Sequence, residues 1–334
     1  MRTMTNPHQD NFCGGNYQDW LEVMLLPECN GKCEWCIEKT GWHPKEKAPW
    51  TEIVKAAEAT GRKNIILLGG EPTIYPALGS VINYLHHVAK CKVYTTTNGF
   101  RLNREYVHDS LRFLTGINIS IHSYNLDLNY EITGIKLKTD QLKEAIQILK
   151  SSGCKVRFNC NLIKGHIDSQ LTILDYIDFA RYMDADSVRF AELKNDEDNF
   201  VDLHKIWGDK YGLNDDPYLK GCNKNVEIDG MHVNFRQMCG LQTPLRPQHP
   251  MLKEYPKQVL YYDGKIYDGW QIMKEHKGKY MDYVKLIEIL EAFKNDSCDI
   301  NETIDKIKEC ADGKEPVAKV SVKEVEKYSG GCVY

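Results

Sequence analysis

ECNGKCEWCIEKT, residues 28–40, decides how the rest of the chain is read. Cys29, Cys33 and Cys36 stand there at spacings of four and three, Trp35 precedes the last of them, and no fourth cysteine follows nearby. A structural zinc site closes its coordination with four ligands, and a second pair at finger-like spacing is missing. A redox dithiol would use Cys33 and Cys36 and leave Cys29 idle. A [4Fe-4S] cluster held by three thiolates leaves one iron open to a substrate or cofactor, which gives the missing fourth ligand a chemical meaning.

The chain around this loop has 334 residues, room for one large α/β domain with an extension or for two ordinary domains. With 42% hydrophobic and 27% charged residues it reads as a soluble globular protein. No run approaches the roughly 18 apolar residues of a membrane span. The start, MRTMTNPHQDNFCGG, lacks the apolar core of a secretory signal, so the cytoplasm is the expected location. A net charge of -4 leaves no basic footprint for general nucleic-acid binding. Twelve cysteines in such a chain read as metal ligands and small buried hydrophobes rather than a disulfide framework. Cys91, Cys154 and Cys160, in or beside apolar runs, are expected core thiols.

Six short apolar runs alternate with helical patterns, the mark of βα units around a parallel sheet. They are residues 20–27, 64–70, 91–98, 116–123, 155–163 and 187–193. Such a series makes either a doubly wound sheet or an incomplete TIM-type barrel. In both, the loops after the strand C-termini carry the chemistry. The cysteine loop follows the first strand, GGEPT (69–73) the second and TTNG (96–99) the third, while IHS (121–123) ends the fourth. Four unusual features thus fall on one rim.

This combination, in this order, resembles the radical S-adenosylmethionine (radical SAM) enzymes over residues 19–193. The resemblance implies a partial (β/α)6 TIM-type barrel, a [4Fe-4S] cluster on Cys29, Cys33 and Cys36, and S-adenosylmethionine chelated to the unique iron. It further implies reductive cleavage of S-adenosylmethionine and hydrogen abstraction from a substrate by the 5'-deoxyadenosyl radical. Position by position, Trp35 is placed near the adenine or the cluster, and Gly69, Gly70, Glu71 and Pro72 match the segment that binds the methionyl ammonium. Glycine there is expected to allow close backbone approach to the ligand. Asn98 with Gly99 matches the third-strand motif, and Ser120 and His122, alternating with isoleucines, match ribose-binding positions. Asn159 shares a strand face with Arg157 and Asn161 and is expected to touch the methionyl carboxylate or ribose, since polar groups turned inward are costly without a partner. Arg189 and Glu192 face opposite ways on the sixth strand, and one of them is expected on the surface.

Residues 1–18 are read as an N-terminal segment, 19–193 as the barrel, and 194–334 as a C-terminal α+β cap and substrate domain with a flexible tail. In the cap, 194–221 reads as a polar linker or lid, and two hairpins, each with a central Asp-Gly pair, follow at 226–238 and 258–270. Helical patterns lie at 282–295 and 302–311. The extension resembles the auxiliary-cluster region of peptide-modifying family members, but Asp268 and Gly269 stand where proline and cysteine are expected. Cys222 and Cys239 are the best remaining pair for such a cluster. Arg236, Gln237, Gln242, Thr243, Arg246 and His249 form a hydrogen-bonding stretch whose arginines suit a carboxylate or phosphate, or simply a solvated surface. The expected substrate is a small molecule such as a nucleotide, sugar or amino-acid derivative, with a flavodoxin or ferredoxin as electron donor. The alternatives are a maturase acting on a precursor peptide and a non-catalytic iron-sulfur electron-transfer or binding protein.

Overall fold

β1 (Trp20–Met24), β2 (Asn64–Leu68), β3 (Lys92–Thr97), β4 (Gly116–Ser120), β5 (Lys155–Asn161) and β6 (Ser187–Ala191) lie side by side in sequence order, every pairing parallel. The computed structural model describes residues 19–39, 42–193, 196, 198–211, 223–237 and 258–268. A doubly wound sheet reverses its strand order at a switch point. Here the order runs from β1 to β6 without reversal, as in the partial barrel expected.

Alternation along the strands sorts the side chains. Leu21, Val23, Ile65, Leu67, Ile117, Ile119, Val156, Phe158, Val188 and Phe190 occupy one set of alternate positions and are essentially inaccessible. Helices cover this set: α1 (Trp50–Ala59), α2 (Leu78–His87), the short α3 (Arg104–Tyr106) running on into Val107–Leu111, α4 (Leu126–Thr133), α5 (Thr139–Ser151) and α6 (Gln170–Tyr182). In α5 the buried residues are Leu142, Ala145, Ile146 and Leu149, at the three, four and seven spacing of a single helix stripe. Full burial of each large aliphatic side chain contributes about 1.5–3 kcal/mol. Cys91, Cys154 and Cys160 are buried in the same core, as expected. No helix among the described residues is long and apolar enough to cross a membrane.

Both Asp-Gly hairpins are present. β7 (Asn223–Ile228) and β8 (Met231–Arg236) turn at Asp229 and Gly230, with φ of 48° and 78°, the doubly positive pair that suits a two-residue hairpin. β9 (Gln258–Leu260) and β10 (Ile266–Asp268) form the second. They do not build a separate cap. β8 pairs in parallel with β6 and β9 with β1, so the hairpins extend the barrel sheet at both edges. An open six-stranded sheet presents a row of unpaired backbone groups on each side, and the hairpins satisfy them. Strands that follow residue 193 in the chain thus join the same sheet as the six before it.

By its internal contacts the chain forms one unit of residues 1–38 and 43–270 and another of 39–42 and 271–334. Of the second unit only Lys39 and Trp42 are among the described residues. The stretch read as an irregular linker also contains a helix, α7 (Leu203–Tyr211), whose Leu203 and Trp207 enter the core and whose backbone kinks at Trp207. Trp207 meets Phe235 of β8 edge-on at 5.2 Å. The segment 1–18, the helical patterns at 282–295 and 302–311, Cys222, Cys239, Gln242, Thr243, Arg246, His249 and the tail lie outside the described residues.

Candidate functional site

The C-terminal ends of the barrel strands open on a cavity of about 360 Å³. Cys29, Cys33, Trp35 and Cys36 enter it from the loop after β1, Gly69, Gly70 and Glu71 from the loop after β2, and Asn98 from the loop after β3. Ser120 and His122 at the end of β4 and Asn159 on β5 complete the set. Gly99, Arg157, Arg189 and Gln237, also singled out from sequence, do not line it, and neither does Pro72. Pro72 opens the helical turn Pro72–Ile74, capped by Glu71.

The three loops brace one another. Gly70 N–H donates to Leu26 O at 2.8 Å and Glu71 N–H to Glu28 O at 2.9 Å. A Cβ on Gly70 would sit 2.0 Å from Glu28 O, and one on Gly69 2.6 Å from Leu26 O. The glycines thus have a reason the sequence reading missed, since they let the second-strand loop lie against the backbone that leads into the cysteines. Glu71, 1% exposed, accepts four hydrogen bonds: Thr73 N–H at 3.0 Å, the Thr73 and Thr97 hydroxyls at 2.6 Å each, and Asn98 N–H at 2.7 Å. Burial pushes its carboxyl above the usual range, and the four donors pull against that. Asn98 Nδ2 in turn donates to Asn30 Oδ1 in the cysteine loop at 2.8 Å. That loop is also pinned from the other side, where Lys32 N–H donates to Thr133 O at the end of α4 at 2.7 Å. Gly31 N–H points at Cys29 Sγ at 3.2 Å. Burial raises the Cys29 thiol, and this hydrogen bond opposes the rise.

On the opposite wall Asn161 N–H donates to His122 Nδ1 at 3.0 Å. A backbone N–H only donates, so Nδ1 is the acceptor and the neutral ring carries its proton on Nε2. Trp35 meets this ring edge-on at 5.3 Å. Burial holds the His122 pKa down to about 4, so the ring is a neutral donor at ordinary pH. An unfolded histidine titrates near about 6.5. Between about 6.5 and 4 the unfolded chain takes up a proton that the folded ring refuses, and stability falls as the pH falls, by up to about 3 kcal/mol. In His122→Gln this component vanishes. The stability advantage of the parent over the variant, from urea midpoints of the metal-free chain, should therefore shrink steadily from pH 7 to 4.5. Glu38, pushed up to about 7 by burial and then by Glu22, works in the opposite sense in both proteins and cancels in the difference.

Neither Arg189 nor Glu192 is on the surface, contrary to the sequence expectation; they are 6% and 1% exposed. Arg189 Nε donates to Asn234 Oδ1 on β8 at 2.8 Å, and Glu192 Oε1 accepts the N–H of Leu203, where α7 begins, at 3.0 Å. Both depend on elements, β8 and α7, that lie after the barrel strands in sequence. Glu192, Leu193, Asn161, Thr133, Ile135 and Arg236 also line the cavity. None belongs to a motif; the detectable signals were the polar alternation of β5 for Asn161 and the polar stretch at the end of β8 for Arg236.

Comparison with known proteins agrees with this geometry. A sequence profile described as "Radical SAM superfamily" matches residues 23–177. GTP 3',8-cyclase of Shewanella denitrificans is 30% identical over 195 residues, covering 55% of this chain and 55% of that protein. The Aquifex aeolicus GTP 3',8-cyclase is 26% identical over 253 residues, covering 63% of this chain and 79% of its own length. The chain thus spans little more than half of the first of these relatives. Among solved structures, Streptococcus suis SuiB bound to S-adenosylmethionine shares the fold with a TM-score of 0.55 at 18% identity, over 77% of this chain and 61% of SuiB. The profile spans the cysteine loop and the two following strand-end motifs that meet on one cavity, so residues 23–177 of this chain match the radical SAM superfamily of enzymes, whose cofactors are a [4Fe-4S] cluster and S-adenosylmethionine.

Proposed function

We propose that Cys29, Cys33 and Cys36 hold a [4Fe-4S] cluster with one open iron, that S-adenosylmethionine binds there along the rim, and that the substrate is a small molecule of the nucleotide class. The observation that carries this is the meeting of three cysteines and two further strand-end motifs on one cavity. The donor set fits the group. Among the described residues no three Cys, His, Asp or Glu side chains converge as a single ion would require. A cluster asks for no such convergence, since each thiolate takes a different iron. Held by these three cysteines and given one electron by an external donor, the cluster would supply reductive cleavage of a carbon–sulfur bond of S-adenosylmethionine, with methionine leaving and hydrogen-abstracting power passing to the 5'-deoxyadenosyl group.

The chain's own part is positioning. Glu71 spends its carboxylate on fixing the second and third strand ends against each other. Asn98 transmits that register to the cysteine loop through Asn30. His122 offers a neutral Nε2–H donor of fixed tautomer, Ser120 and Asn159 add hydrogen-bonding groups beside it, and Trp35 covers the imidazole edge-on. The name shared by the two cyclases supports a nucleotide among the small molecules considered. The electron donor in this reading is a flavodoxin or ferredoxin, and the compartment the cytoplasm.

Anaerobically reconstituted protein should hold about four irons per chain and release 5'-deoxyadenosine when given dithionite and S-adenosylmethionine. A cluster whose spectrum ignores S-adenosylmethionine, with no 5'-deoxyadenosine from any reductant, would leave a non-catalytic iron-sulfur protein instead.

A further inference from the structure

Both ends of the Asn98 side chain are fixed. Its Oδ1 accepts the N–H of Phe100 at 3.0 Å, while its own backbone N–H donates to Glu71 Oε2 at 2.7 Å. A backbone N–H only donates, so the Phe100 bond decides which way the amide is turned: the oxygen lies on the Phe100 side and the nitrogen faces the cysteine loop. Nδ2 carries two hydrogens. One reaches Asn30 Oδ1 at 2.8 Å, and the other is left to Cys29 Sγ, 4.0 Å away.

The same sulfur receives the N–H of Gly31 at 3.2 Å. Cys29 thus stands between a donor from its own loop and one from the loop after β3. The amide contact is long, and on a neutral thiol its effect is small. A thiolate that holds iron carries charge, and hydrogen bonds to charged groups are roughly twice as strong as those between neutral ones. Negative charge on the sulfurs of a cluster grows when it takes up an electron, so an N–H aimed at a ligand sulfur favours the reduced form. Hydrogen bonds to the sulfurs are among the levers that set the potential of an iron-sulfur cluster, and residues behind the ligands commonly tune a metal they do not touch.

We propose that Asn98 is a positioning residue whose Nδ2–H acts through the Cys29 sulfur to raise the reduction potential of the cluster held by Cys29, Cys33 and Cys36. The inference rests on the cluster reading and gives the third-strand asparagine a task at the cluster, beyond the contact with S-adenosylmethionine expected from sequence. The couple concerned transfers one electron from an external reductant to the oxidised cluster, and no bond to hydrogen is made or broken. A purely structural Asn98 would only brace the cysteine loop through Asn30, and substitutions on either side of that bond separate the two roles.

The test is a redox titration of the reconstituted full chain without S-adenosylmethionine, followed by EPR. Asn98→Ala should lower the reduction equilibrium constant about tenfold, which for one electron is about 59 mV. Asn98→Asp keeps an acceptor for the Phe100 N–H but sets an oxygen in the place of Nδ2, and should lower it further. Asn30→Ala removes the brace and leaves the donor to Cys29, so its potential should not fall below the parent's. If Asn98→Ala keeps the parent's potential, or if Asn30→Ala falls as far as Asn98→Ala, the proposal is overturned. A second readout leaves Asn98 in place. With asparagine carrying heavy nitrogen at the side-chain amide, pulsed EPR of the reduced cluster should show a weak nitrogen coupling that persists in Asn30→Ala. Its absence from the parent, or its loss in Asn30→Ala, overturns the proposal even where the Asn98 variants assemble no cluster. A parent chain that takes up no iron removes the cluster reading itself, whereas about four irons with a potential indifferent to Asn98 removes this inference alone.

Discussion

Cys33→Ala should leave a folded, colourless protein that forms no measurable 5'-deoxyadenosine, a loss of at least about a thousandfold in a reaction the cofactors carry out. The expectation follows from the division of labour in the cysteine loop. Its shape is set by bonds that do not involve metal: Lys32 N–H to Thr133 O, Glu71 N–H to Glu28 O, and Asn98 Nδ2 to Asn30 Oδ1. Removing one thiol leaves those bonds in place and takes away a proposed cluster ligand, and the metal-free variant should unfold in urea within about 1 kcal/mol of the metal-free parent. Cys160→Ala is the contrast. Cys160 is 1% exposed in the core, so that variant should keep its iron and lose about 1 kcal/mol of stability. If Cys33→Ala kept four irons, or if Cys160→Ala lost them, the ligand set would have to be redrawn.

What was legible in the sequence was local. The six strands were visible because each alternates or runs together β-branched residues over a short stretch, and the two hairpins because an Asp-Gly pair supports positive φ. Where those hairpins dock was not legible, because the pairing of β8 with β6 and of β9 with β1 depends on edges created by the rest of the sheet. The same limit hid α7, whose two core residues, Leu203 and Trp207, sit among polar neighbours. It also misplaced Glu192, which looks like a surface charge until Leu203 N–H is brought to it from eleven residues away. The glycine pair was found by its motif, but the reason given for it was incomplete, since the backbone it approaches belongs to β1's own loop. Motif residues could be read from spacing, and Arg236 from the polar stretch around it; that Arg236 stands beside the cavity could be read only once β6 and β8 stood in register.

Glu71→Gln should cost about 2–4 kcal/mol, a large part of the stability of a typical domain. All four of its contacts are donors, and the backbone N–H groups of Thr73 and Asn98 have no acceptor role to exchange into. Three of the bonds converge on Oε1 and one on Oε2. A glutamine oxygen can take the crowded side, but its NH2 group then meets the Asn98 N–H head-on, and the opposite flip faces the Thr73 N–H instead. Because Asn98 also holds Asn30, the damage should reach the cysteine loop: affinity for S-adenosylmethionine should fall even with the cluster intact. Thr97→Val removes one donor and should cost about 1 kcal/mol alone, yet less in the Glu71→Gln background, since the two side chains act as one unit. Urea midpoints of the four metal-free proteins give the cycle. Full additivity would mean that Glu71 does not brace the two strand ends. Loss of affinity for S-adenosylmethionine with unchanged stability would mean that its carboxylate turns to the ligand rather than to the fold.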